Sequence, residues 1–187
     1  MAHYRLAGLT PLNCGTSDLD FNQAGKLYGI SSSGGANLYS INLGTGAATL
    51  VGASGVAFTE GGGLAISSSG VFYGAPIPGE FGTYDPTTGV YTHIGTPGSP
   101  VGAGGGYAAM KFDGSVLYGD NLLAGGTGLT QLVTIDPTTG LVTDIGASVI
   151  HLDAIAFVPE PGTMALCSVA GAMALFAVRR KTGRVVV

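Results

Sequence analysis

Charged side chains are scarce in this sequence, at 10% of 187 residues, and tryptophan is absent. Only seven residues are basic, and four of them lie beyond residue 178. Residues 1–162 therefore carry three basic and eleven acidic side chains, a net charge of −8. A domain with that charge would repel nucleic acid and anionic membrane surfaces, so we predict no nucleic-acid partner.

Cysteine is equally scarce. Cys14 and Cys167 are too far apart in the chain, and in segments too different in character, to be expected to pair. The sequence therefore has neither a disulfide framework nor a cysteine-based metal site. The three histidines have no metal-binding spacing, and we interpret His93 as a surface or rim residue. No cofactor is predicted.

One short segment offers oxygen ligands. Asp18, Asp20 and Asn22 follow one another at alternate positions, and calcium binds such oxygen-rich turns. The segment fits only part of a calcium loop, because no bidentate glutamate follows at a suitable distance. We therefore predict no metal site, and the turn serines and glycine-rich stretches likewise lack the context of a nucleophile elbow or a phosphate loop.

Glycine, in contrast, is abundant, with 34 residues, and this composition is typical of many short strands joined by tight turns.

The chain also repeats itself. Three anchors recur at intervals of 45 residues, the length of one four-stranded propeller blade: Leu27-Tyr28-Gly29, Phe72-Tyr73-Gly74 and Leu117-Tyr118-Gly119. Each unit also contains a second turn, at Gly44-Thr45-Gly46, Asp85-Pro86-Thr87-Thr88-Gly89 and Asp136-Pro137-Thr138-Thr139-Gly140. In such turns Asp accepts backbone hydrogen bonds and the closing Gly adopts positive φ.

We therefore predict an all-β fold of repeated four-stranded antiparallel units, β-propeller-like and with about three blades, followed by a C-terminal hydrophobic helix. An N-terminal segment, 1–17, precedes a repeat domain at 18–158. Its units fall at about 18–53, 63–96 and 107–147, and a last strand at 151–158 opens a fourth unit. Propellers have four to eight blades, so three suggest missing upstream blades, which would also explain why residues 1–14 lack the features of a signal peptide. Two chains completing a ring, or an open array, are the alternatives. The repeats resemble the blades of several bacterial exported propeller families.

The final segment, 159–187, has a different character. Pro159, Glu160 and Pro161 precede an apolar run, predicted as a helix at about 163–178, which ends at Arg179, Arg180 and Lys181. The seventeen residues from Gly162 to Val178 would span about 25 Å as a helix, close to a hydrocarbon core of about 30 Å. The basic residues then predict a cytoplasmic C-terminus, with everything before Pro159 outside.

This order of Pro-Glu-Pro, apolar helix and basic stop resembles the PEP-CTERM sorting signal of bacterial exported proteins. The resemblance implies recognition and processing by an exosortase-type membrane enzyme. The protein would be anchored in the cell envelope through the helix and, after processing, located at the cell surface or outside the cell. An ordinary C-terminal membrane anchor without cleavage is the alternative.

We therefore expect a noncatalytic cell-surface or extracellular-matrix protein, with exopolysaccharide or surface proteins as candidate ligands. The alternative is a fragment of a secreted propeller enzyme, a lyase or hydrolase, with polar residues at the central channel. The positions predicted to line that channel are Leu19, Leu64 and Met110, which argues against catalysis.

Overall fold

A computed structural model describes residues 15–32, 34–56, 62–96, 106–122, 129–150 and 152–157. The chain divides into two units, Met1–Ala156 and Phe157–Val187, and all of the strands belong to the first. Most of the N-terminal segment and the whole of the Pro-Glu-Pro motif, the predicted helix and the basic stop lie outside the described residues.

The described residues form twelve strands in three sheets. Each sheet is an antiparallel meander of four strands that are consecutive in the chain, which confirms the predicted all-β fold of four-stranded units. The first sheet contains β1 (Thr16–Phe21), β2 (Leu27–Ser31), β3 (Leu38–Ile41) and β4 (Ala48–Gly52). The second contains β5 (Gly63–Ile66), β6 (Phe72–Ala75), β7 (Phe81–Tyr84) and β8 (Tyr91–Gly95). The third contains β9 (Gly106–Asp113), β10 (Val116–Leu122), β11 (Leu129–Ile135) and β12 (Val142–Ile150). In the part of the chain that the structure describes, no helix is long and apolar enough to cross a membrane.

The turns between the third and fourth strands form as their sequences predict. Asp85 accepts hydrogen bonds from the backbone N–H groups of Thr87 and Thr88, at 2.7 and 3.1 Å, and Gly89 closes the turn at a φ of 74°. Asp136 and Gly140 repeat this arrangement in the third sheet. In the first sheet Asn42 takes the role of the aspartate.

The end of the domain differs from the prediction. Strand β12 runs on to Ile150, beyond the predicted limit of residue 147, and the structure has no strand over residues 152–157. Instead, the N–H of Leu152 donates to the side-chain hydroxyl of Thr130 at 3.1 Å, so this segment is held by a side chain. A strand needs a neighbouring strand to receive its backbone hydrogen bonds, and the described residues supply none at this place.

Two hydrophobic cores lie between consecutive sheets. Tyr28, Ile30 and Leu38 of the first sheet pack against Leu64, Ile66, Phe72 and Tyr84 of the second. Ala65, Ala75 and Phe81 of the second sheet pack against Tyr107, Met110, Leu117, Val133 and Ile135 of the third. We call the face that the first two sheets turn toward the next sheet, and the equivalent face of the third, the forward face. The opposite face of each sheet is the rear face. The second sheet is buried on both faces, which is why its strands β5 and β6 are almost continuously apolar.

Close backbone contacts join the outer ends of consecutive sheets. A Cβ atom on Gly52, at the end of β4, would lie 1.8 Å from the carbonyl oxygen of Thr88 in the second sheet. A Cβ atom on Gly95, at the end of β8, would lie 2.1 Å from the carbonyl oxygen of Thr139 in the third. The glycines that end the first two units are therefore required by the approach of the next unit's turn.

Candidate functional site

The first strands of the three sheets, β1, β5 and β9, lie next to one another. Each is the free edge strand of its sheet and has one row of backbone N–H groups with no partner inside that sheet. Strand β1 carries Asp18 and Asp20 at alternate positions, opposite Ile30 and Tyr28 of β2. Because side chains two residues apart share one face of a strand, both carboxylates are directed toward the neighbouring sheets.

Asp18 connects three strands. Its Oδ2 accepts hydrogen bonds from the N–H of Leu64 on β5, at 2.8 Å, and from the N–H of Met110 on β9, at 3.1 Å. Its Oδ1 accepts from the N–H of Leu19 at 2.8 Å. Burial raises the pKa of this carboxyl to about 6, although these hydrogen bonds act in the opposite direction. The carboxylate thus supplies the missing acceptors at two free strand edges.

Asp20 does the same at the next position. It is almost fully buried, its Oδ2 accepts the N–H of Ile66 at 2.7 Å, and its Oδ1 accepts the N–H of Phe21 at 2.7 Å. Oδ1 also forms an ion pair with the ammonium group of Lys111 on β9, whose side chain is about a third exposed. All three sheets are therefore tied together through one buried carboxylate.

A third carboxylate lies nearby without such partners. Asp120 on β10 is fully buried, and neither of its oxygens has a hydrogen-bond partner among the described residues. Burial, followed by the negative charges of Asp153 and Asp18, raises the pKa of Asp120 to about 7. Asp120 occupies the position of Ile30 and Ala75 in the other two sheets, so aligning the repeats would have revealed it from sequence.

His93 on β8 forms a hydrogen bond through Nδ1 to Oε2 of Glu80 at 2.7 Å. Both side chains are accessible to solvent, 47% and 33% exposed, which agrees with the predicted surface position of His93. The described residues place no serine or cysteine in hydrogen bonds with this pair, as a nucleophile activated by a histidine would require.

The structure corrects the residues predicted to line a central channel. Leu64 and Met110 are buried in the cores between sheets, whereas Leu19 is 46% exposed on the rear face of the first sheet. The side chains that reach across the convergence of β1, β5 and β9 are instead the polar ones of Asp18 and Asp20. On β1 the residues at the convergence are the neighbours of Leu19, because alternation along a strand does not say which face points inward.

The three oxygen-bearing side chains of Asp18, Asp20 and Asn22 do not form one site. Asn22 accepts hydrogen bonds from the N–H groups of Ala24 and Lys26 within its own turn, whereas Asp18 and Asp20 bond to the neighbouring sheets. Across the described ranges no group of three or more histidine, cysteine or acidic side chains is arranged to hold a metal ion. Pro159, Glu160, Pro161, Arg179, Arg180 and Lys181 lie outside the described residues.

The burial of Asp120 makes stability depend on pH. Its folded pKa, about 7, lies above its ordinary value of 3.8, so the folded state holds a proton that the unfolded state has lost. The free energy of unfolding should therefore fall by about 3 kcal/mol through Asp120 as pH rises from 4.5 to 7.5, and Asp18 adds to this fall in the lower part of the window. Asp85 and Asp136 titrate below it, because their hydrogen bonds to Thr87 and Thr138 lower their pKa values.

Urea unfolding at several pH values tests this expectation. Asp120→Asn should remove most of the decline, whereas the exposed Asp113→Asn should keep it. A wild-type protein that gains stability across this window, or an Asp120→Asn protein with an unchanged pH dependence, would contradict the assignment.

No family model matches the sequence, and no curated protein is significantly similar to it. Among solved structures, puromycin hydrolase is 20% identical with a TM-score of 0.43, over 78% of this chain and 22% of that one. An auxiliary nutrient binding protein from Bacteroides ovatus is 16% identical with a TM-score of 0.49, over 78% of this chain and 35% of that one. The WD40 repeats of RRP9 are 11% identical with a TM-score of 0.46, over 79% of this chain and 42% of that one. The chain thus spans less than half the length of each.

Proposed function

We propose that this protein is an exported, noncatalytic cell-surface or extracellular-matrix protein whose β-propeller-like repeats bind glycans or other proteins. The observation that carries the proposal is the use of the two carboxylates on β1. Asp18 and Asp20 lie where the three sheets converge, the place at which a propeller enzyme would hold its acids and bases. Both are engaged by backbone N–H groups of neighbouring strands. Carboxylates fixed in this way hold sheets together and are poorly placed to exchange protons with a substrate.

The sequence of the tail supports export. The Pro159-Glu160-Pro161 motif, the apolar run and the basic stop at Arg179, Arg180 and Lys181 have the order of a PEP-CTERM signal. In this proposal an exosortase-type enzyme is the processing partner, and the membrane is contacted through the C-terminal helix until cleavage. Exopolysaccharide or surface proteins are the ligands of the mature protein. The acidic repeat domain would remain soluble outside the cell, because its charge opposes adsorption to anionic membrane surfaces.

Intact-mass analysis tests the processing step. The full chain, preceded by a functional signal peptide, is expressed in hosts with and without an exosortase-type enzyme. The intact mass of the protein is then measured in the membrane fraction and in the released fraction. We expect loss of the segment beyond the Pro-Glu-Pro motif only when the enzyme is present. Glu160→Gln combined with Pro161→Ala should abolish the loss, whereas Pro137→Ala, in a turn of the third sheet, should not affect it.

The other outcomes separate the alternatives. Full-length mass in both hosts, with the protein in the membrane fraction, would indicate an ordinary membrane anchor and would overturn the processing proposal. Cleavage that also occurs in the Glu160→Gln, Pro161→Ala protein would place the responsible signal elsewhere in the chain.

A further inference from the structure

The rear face of the first sheet exposes positions that are buried in the other two sheets. Leu19 and Phe21 of β1 are 46% and 49% exposed. The pairing of the first two strands makes Leu64 and Ile66 of β5, and Met110 and Phe112 of β9, their equivalents. Leu64, Ile66 and Met110 are 0%, 6% and 2% exposed, and Phe112 packs against the core between the second and third sheets. Each equivalent is covered by the forward face of the preceding sheet.

The forward face of the third sheet shows the converse. Val51 at the end of the first sheet packs against the first core, and Ile94 at the end of the second packs against the second core. Their equivalent in the third sheet is Ile145, which is 53% exposed. At the two internal interfaces, Tyr28 and Tyr73 contact aromatic rings of the next sheet, Phe72 at 4.8 Å and Phe112 at 5.5 Å between ring centroids.

The glycine contacts at the outer ends agree with this. Gly52 and Gly95 each lie against the turn of the next sheet, whereas a Cβ atom on Gly146, their equivalent in the third sheet, would meet nothing within 4 Å. In the first sheet, the turn glycine Gly46 is equally open, although its equivalents Gly89 and Gly140 lie against the preceding sheet. The outer parts of the two end sheets thus match the outer part of an interface that the chain forms twice internally. Nearer the convergence, Asp120 takes the place of Ile30 and Ala75 and is already buried within the chain.

We propose that the forward face of the third sheet docks on the rear face of the first sheet of a second copy of this chain. The occupant is a second copy because the outer part of the third sheet presents Ile145 and an open Gly146 where the internal interfaces have Val51 and Gly52, or Ile94 and Gly95. Ile145 would take the place that Val51 and Ile94 have in the internal cores, and it would pack on the face formed by Leu19 and Phe21. This interface is heterologous, since a different surface of each copy takes part, so copies would form a closed ring or an open row. The inference does not depend on the proposed function.

The experiment measures self-association of the full chain in detergent by sedimentation equilibrium between about 1 and 100 μM. We expect Phe21→Glu and Ile145→Glu each to weaken association at least about tenfold, because each places a charge in an apolar contact. Leu141→Glu is the matched control, since the exposed Leu141 follows a turn and neither internal core contains it. Association through the hydrophobic tail would be unchanged in all three proteins.

Mixing the two variants is the decisive test. A Phe21→Glu copy keeps an intact third sheet, and an Ile145→Glu copy keeps an intact first sheet, so an equimolar mixture should restore a 1:1 complex that neither variant forms alone. A wild-type chain that stays monomeric throughout the range, or whose association is unaffected by both substitutions, would overturn the proposal. So would a mixture that associates no better than its components.

Discussion

Replacing Gly95 with alanine should reduce the free energy of unfolding by at least about 4 kcal/mol. The added Cβ atom would lie 2.1 Å from the carbonyl oxygen of Thr139 and 3.0 Å from its carbonyl carbon. Both atoms belong to backbone, so no rotamer change relieves the clash. The turn that contains Thr139 would have to move away from the second sheet, and Gly140 in that turn would then lose its contact with Phe81. The cost therefore spreads to the core between the second and third sheets.

Urea unfolding followed by circular dichroism measures this effect. Gly44→Ala is the matched control, because Gly44 lies in a turn of the first sheet and its Cβ atom would meet only the side-chain oxygen of Asn42, at 3.4 Å. That substitution should change stability by less than about 0.5 kcal/mol. Gly52→Ala, at the equivalent contact between the first two sheets, should resemble Gly95→Ala. If both substitutions destabilised the protein as little as the control does, that result would contradict the close packing of successive sheets.

Local features of this fold could be predicted from sequence because short-range chemistry determines them. The turns at Asp85 and Asp136 have their conformation set by side-chain acceptors within the turn and by a glycine at positive φ. The interval of 45 residues between the Leu-Tyr-Gly or Phe-Tyr-Gly anchors then sets the length of the repeating unit. The two turns predicted in each unit each join a pair of strands, so a unit has four strands.

The convergence of the sheets could not be predicted in this way. Asp18 and Leu19 are adjacent, and only the packing of the sheets determines that Asp18 reaches Leu64 and Met110 while Leu19 is half exposed. Binary alternation fails as a guide where a sheet is buried on both faces, as the second one is. Lys111 contributes to the site only because β9 lies beside β1, a contact between residues about ninety positions apart.

The buried carboxylates follow from a general problem of stacked meanders. The first strand of each unit has neighbours on one side only, so alternate N–H groups of β5 would be buried without acceptors. Leu64 and Ile66 are two residues apart, and Asp18 and Asp20 on the adjacent strand match that spacing. The side chains of Asp18 and Asp20 thus accept the hydrogen bonds that the backbone of a further strand beside β5 would otherwise accept.

Replacing Asp20 with alanine should therefore cost about 3–4 kcal/mol. The change leaves the buried N–H of Ile66 without an acceptor and removes the partner of Lys111. Two companion variants separate these effects in the same urea experiment. Asp20→Asn keeps a side-chain oxygen for Ile66 but loses the charge, so it should cost about 1–2 kcal/mol.

Lys111→Met removes only the cation, and the Asp20 carboxylate then keeps two backbone donors, from Ile66 and Phe21. Because the Lys111 side chain is about a third exposed, water screens the ion pair, and we expect a loss of about 1 kcal/mol or less. The order of the three losses decides what the carboxylate does. If Lys111→Met were as damaging as Asp20→Ala, the ion pair would be the main link between the first and third sheets. If Asp20→Ala alone were severe, the link would be the capped edge of β5, and the stability of the array would depend on how completely its free edges are covered.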